Sequence, residues 1–118
     1  MDNVRFMYVR DANHSPVGCL AIKVVRSKNR VEYGFSIRNP ADGIDAKGRS
    51  KPFDRMLAQD AAELRMESNP HQAFISKDAT QHDISRAVLQ DIIAKRKAPA
   101  RAIRFAKNWL AATEYLYY

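Results

Sequence analysis

Apolar and polar positions alternate with the period of strands along the first 38 residues, and recur with the period of helices from residue 53 to 116. That division predicts an α+β domain, a three-stranded antiparallel sheet packed by about three helices, with the helices in the C-terminal half. In RFMYVR, Phe6 and Tyr8 fall on one face and Met7 and Val9 on the other, so both faces carry apolar surface. VGCLAIKVV is a nearly continuous apolar run rich in β-branched residues, which suits a central strand. In VEYGFSIR, Val31, Tyr33, Phe35 and Ile37 share one side, opposite Glu32, Gly34, Ser36 and Arg38. Such alternation means one buried and one solvated face, as in an antiparallel meander. The predicted strands span about residues 4 to 10, 17 to 26 and 30 to 38.

Residues 39 to 52, NPADGIDAKGRSKP, carry two prolines and two glycines and read as a loop. Beyond it a helix is predicted from a Ser50 cap, with Pro52 in its first turn, to Asn69-Pro70. Phe53, Met56, Leu57, Ala61 and Leu64 form its expected core-facing stripe. Residues 71 to 79 are ambiguous. Thr80 and Asp83 approximate a capping box, which starts a second helix through ISRAVLQDIIAKRK. Pro99 interrupts it and begins the third, ARAIRFAKNWLAATEYL. Ile103, Phe105, Ala106, Trp109, Leu110 and Leu116 cover two adjoining faces of that helix, more than one packed neighbour needs, which argues for self-association.

Length and composition narrow the function. The 118 residues make one domain: a β-meander (1–38), a loop (39–52) and a helical part (53–116). With 46% hydrophobic and 28% charged residues the chain has the usage of a folded globular protein. No run of eighteen apolar residues exists and the N-terminus carries charges where a signal peptide is apolar. The expectation is a cytoplasmic protein with no membrane partner, and the single cysteine, Cys19, excludes an internal disulfide. Lys and Arg number 20 against 13 acids, a net charge of +7 that favours polyanionic partners.

The cations concentrate in two places. From Lys95 to Lys107 there are six and no acid; Lys97, Arg101, Arg104 and Asn108 align as a ridge beside the apolar face of the third helix, with Lys107 nearby. The β-hairpin carries Lys23, Arg26, Lys28 and Arg30, with Arg38 at the end of the third strand. Aromatics interleave with these charges, the composition of a surface where bases stack while cations track phosphates. Tyr33 and Phe35 share their side with Val31 and Ile37 and belong to the core, which leaves Tyr8 and Phe6, with Tyr115 and Tyr117 of the EYLYY terminus, as stacking candidates. GIDAKGRS, residues 43 to 50, approximates a phosphate-loop pattern with Arg49 in place of lysine. The chain lacks the βαβ alternation that motif needs, so Lys47, Arg49 and Lys51 are read as holding at most one phosphate of a nucleic acid.

Enzyme chemistry has no frame. His14, His71 and His82 show no metal-ligand spacing, and caps and turns account for Asp42, Asp45, Asp54 and Asp60. Neither catalysis, metal nor cofactor is expected.

SPVGCLAIKV, YGFSIRNPADGIDAKGRS and LAQDAAELRM together cover about half the chain. In the Pro16 to Gly18 strand start, the Asn39-Pro40-x-Asp42 and Lys47-Gly48-Arg49 elements and the helix containing Arg65, the sequence resembles a family of small tailed-phage proteins. Within that family it is similar to the single-stranded-DNA-binding cofactors of RNA polymerase in lytic podoviruses. The resemblance implies sequence-independent binding of single-stranded DNA, homo-oligomers, RNA polymerase as a partner and a place in the host cytoplasm. A second expectation, of another class, is a small phage protein that modulates a host protein through its C-terminal helix.

Overall fold

The computed structural model describes residues 4–38, 46–49 and 51–116, with side chains up to residue 112. Three strands lie where alternation predicts them: β1 (Val4–Arg10), β2 (Pro16–Val25) and β3 (Arg30–Ile37). α1 (Arg55–Ser68) follows, then a fourth strand, β4 (His71–Phe74), then α2 (Gln81–Lys95) and α3 (Ala100–Leu116). The sheet is antiparallel in the order β1-β2-β3-β4, so the expected three strands become four. β4 lies in the stretch 71 to 79 that the pattern leaves ambiguous, inside the part expected to be helical. Its four residues are too few to show a period, and what fixes them is pairing with Arg30 to Tyr33 of β3.

The two faces of the sheet are filled differently. Leu20, Ile22, Val31 and Tyr33 point toward α2 and α3 and form the main core with Val88, Leu89, Ile92, Ala106 and Leu110. Each fully buried large aliphatic side chain contributes roughly 1.5–3 kcal/mol there. On the other face Cys19 and Ala21 meet Ala58, Ala62 and Met66 of α1, flanked by Phe6, Tyr8 and Phe53. Small residues let the helix backbone approach closely. A Cβ on Gly34 would sit 2.4 Å from the Met66 nitrogen and 2.8 Å from the Ala62 carbonyl oxygen, so glycine is required by the contact. The expected stripe of α1 is therefore corrected: the buried row is Ala58, Ala62 and Met66, while Met56, Leu57 and Leu64 face solvent. The face of β3 expected to be solvated is likewise covered, because α1 rests on it.

Local signals set most helix boundaries. The Asp54 carboxylate accepts from the Leu57 N–H, which makes Asp54 the cap of α1; Ser50 lies outside the described residues, and Pro52 precedes the helix. Thr80 and Asp83 complete a reciprocal capping box at α2. The Pro99 carbonyl accepts from Ala102 and Ile103 as α3 begins. α3 packs against α2 and β1, and Trp109 stacks on His82 at 5.3 Å. Its two apolar faces thus have neighbours within the chain and give no argument for self-association. Among the described residues no helix is long and apolar enough to cross a membrane.

Candidate nucleic-acid interface

Eight residue steps separate Arg30 from Arg38, about 27 Å of extended chain. The cations singled out from the sequence therefore fall into two groups at opposite ends of the sheet, and no single surface collects them all.

At the hairpin end the guanidiniums hold the chain to itself. Asn29, in the left-handed region at φ 50°, closes the β2–β3 turn by donating to the Arg26 carbonyl at 3.2 Å. Arg26 donates to the carbonyls of Ala79 at 3.1 Å and Lys77 at 3.4 Å, which ties the hairpin to the segment before α2. Arg30 lies 3.6 Å from the Glu32 carboxylate. Lys23 is half-buried on the α1 side of the sheet, in register with Val4 and Glu32. Lys28 is exposed at the tip.

At the other end the β1–β2 turn and α3 form a cleft of about 170 Å³, lined by Arg10, Asp11, Asn13, Arg101, Arg104, Phe105 and Asn108. The turn is rigid for local reasons. The Asp11 Oδ1 atom accepts from the N–H groups of Asn13 at 2.9 Å and Ser15 at 3.0 Å, and Arg10 donates to the His14 carbonyl at 2.8 Å. His14 sits at φ 61°, held by these contacts. Arg101 donates to the Arg38 carbonyl at 2.9 Å, fastening the start of α3 to the end of β3. Arg38 in turn donates to the Lys51 carbonyl at 3.0 Å. Arg104 and Lys107 are exposed one turn apart, with no hydrogen bond or ion pair among the described residues. Among the described residues Asp11 is the single carboxylate lining the cleft, and one of its oxygens is already shared by two amides.

The remaining site residues need individual statements. Lys97 precedes α3, which begins at Ala100, so it does not extend the helical ridge of Arg101, Arg104 and Asn108. Arg49 is exposed in the short described stretch 46–49. Tyr8 is corrected as a stacking platform: its hydroxyl accepts from Gln59 Nε2, the Arg55 guanidinium lies 5.4 Å from its ring centroid, and Phe53 meets it edge-on at 6.3 Å. The α1 helix covers it because Tyr8 shares a face with Cys19 and Ala21. Tyr115 has no described side chain and Tyr117 lies outside the described residues. Sequence reasoning passed over Phe105 and the turn residues Asn13 and Asp11. Phe105 was assigned to the helix's apolar face, and only the fold of the turn against α3 reveals that it borders a cationic cleft.

Other chemistry is weak by contrast. Burial pushes the Cys19 thiol up to about 11, which leaves it protonated and unreactive near neutral pH. Among the described residues no three His, Cys, Asp or Glu side chains lie close enough to hold a metal ion. No protein-family model, curated protein or solved structure matches the chain.

Proposed function

We propose that this protein binds single-stranded DNA without sequence preference and without catalysis, serving transcription beside an RNA polymerase. The convergence of three guanidiniums, two carboxamides and one aromatic ring in the cleft between the β1–β2 turn and α3 carries the DNA reading. Arg10, Arg101 and Arg104 supply charge for phosphates, Asn13 and Asn108 can hydrogen-bond base edges, and Phe105 offers a ring. At about 170 Å³ the cleft is smaller than the roughly 300–1,000 Å³ pockets that enclose whole small ligands. It suits one nucleotide of a strand whose neighbours run over Arg104 and Lys107. A duplex holds its bases stacked inside and offers such a cleft only its backbone. The polymerase part of the proposal follows from the likeness of the SPVGCLAIKV, YGFSIRNPADGIDAKGRS and LAQDAAELRM segments to the phage cofactor family.

Fluorescence anisotropy with labelled oligothymidine and a matched duplex, each titrated at two salt concentrations, tests this. Preference for the single strand is expected, with a log–log salt slope of about −2 from three neutralised phosphates. Equal affinity for the duplex, or binding indifferent to salt, would overturn it.

A further inference from the structure

We infer that the open edge of β1 is a docking site for an extended, acidic segment of a protein partner, which adds to the sheet as a further strand. β1 ends the strand order, and among the described residues its only paired neighbour is β2. Its seven residues offer about 24 Å of edge, and pairing with β2 is regular from Val4 to Val9. Unpaired N–H and C=O groups along such an edge are a template for another strand. The opposite edge is blunted: β4 has four residues, and the Lys95 ammonium of α2 already donates to the Gln72 carbonyl at 2.9 Å.

The surroundings of β1 are shaped for an occupant. A groove of about 740 Å³ follows this edge. Phe6, Tyr8 and Gln59 border it on the α1 side, and Met7, Ile84 and Gln81 on the α2 side. Arg5 and Arg26 line it and, among the described residues, no carboxylate does; Arg26 is fixed there by its bonds to the Lys77 and Ala79 carbonyls. A strand whose side chains alternate between apolar and carboxylate would meet Phe6 and Tyr8 on one side and the guanidiniums on the other. A second copy offers a poorer fit, because its β1, VRFMYVR, brings two more arginines and no acid to the same edge. The groove shares no lining residue with the nucleic-acid cleft.

Amide hydrogen exchange on the full chain tests the inference, with a capped peptide of alternating valine and glutamate as probe and its valine–lysine counterpart as control. The expected result is protection of β1 amides by the acidic peptide, by roughly tenfold or more, and none by the basic one. Arg5→Glu, at an exposed position, should reverse the preference. Three results would overturn the inference: no protection by either peptide at saturation, protection that rises with protein concentration alone, which indicates β1 pairing between copies, or protection by oligothymidine in place of peptide.

Discussion

At the hairpin end of the sheet Arg26 donates to the Lys77 and Ala79 carbonyls and Arg30 approaches Glu32, whereas at the turn end Arg104 and Lys107 meet no acceptor among the described residues. Both ends are basic in sequence. They differ in what stands within reach of each cation. The hairpin must be joined to β4 and α2, and carbonyls freed by the 75–80 connection are satisfied by a long guanidinium. The β1–β2 turn satisfies its own amides through Asp11; beside it Arg10 and Arg101 each donate to one carbonyl, of His14 and Arg38, while Arg104 faces solvent. Charge count therefore does not identify a binding surface; local hydrogen-bond supply does.

The largest way to break this comparison is to remove the frame that separates the ends. In Gly34→Val the new Cβ meets the Met66 backbone nitrogen at 2.4 Å, and backbone cannot move aside as a flexible side chain would. A loss of about 3 kcal/mol or more is expected, read as a lowered urea midpoint, with both ends compromised together. Next in size is the triple change Arg10→Ala, Arg101→Ala and Arg104→Ala. Affinity for oligothymidine should fall on the order of a hundredfold at low salt and the salt slope should flatten by about 2, with about 1–2 kcal/mol of stability lost through the bonds of Arg10 and Arg101 to the His14 and Arg38 carbonyls. Arg26→Ala should spare the affinity. It removes two charged hydrogen bonds, so about 1–2 kcal/mol of stability is lost in urea titration, while affinity stays within about twofold. If Arg26→Ala weakened DNA binding as much as the triple change does, the distinction between the ends would fail.

The sequence carried unequal information about these features. Alternation located β1, β2 and β3 within a residue or so, and Thr80 with Asp83 marked α2, because both signals are local. β4 was illegible: HQAF has no period of its own and depends on β3, some forty residues earlier. The buried side of α1 was misread because large apolar residues dominate a periodicity argument, while the sheet beneath, with Cys19, Ala21 and Gly34, admits only alanines and Met66 at close range. In the candidate site, Arg101, Arg104 and Lys107 were visible as a cationic helix row. Asn13 and Phe105 were not read as part of the site, since nothing local announces that the turn folds against α3.

A finer test concerns a cation of the inward-working kind, Lys95. Its ammonium lies 2.8 Å from Asp91, which accepts from the Tyr33 hydroxyl, and it also donates to the Gln72 carbonyl beside His71. His71 stacks on Tyr33 at 5.2 Å and Phe35 at 5.4 Å. Burial first, and then the Lys95 charge, hold the His71 imidazole below its ordinary value of 6.5. The unfolded chain therefore takes up this proton before the folded one does, and stability falls as pH drops below about 6.5 toward the lower folded value. Urea midpoints taken between neutral and mildly acidic pH should show the decline. His71→Asn should remove its contribution to the slope. Lys95→Met should lessen that contribution, because burial remains but the repelling charge is gone. Asp83 acts in a separate window: hydrogen bonds from the Thr80 backbone and then side chain hold its carboxyl below the ordinary value of 3.8, so its contribution is lost only below about 3.8. Arg104→Ala, at the outward-facing end, should leave the neutral-to-acid slope unchanged; a matching change there would show that the two ends share their electrostatics after all.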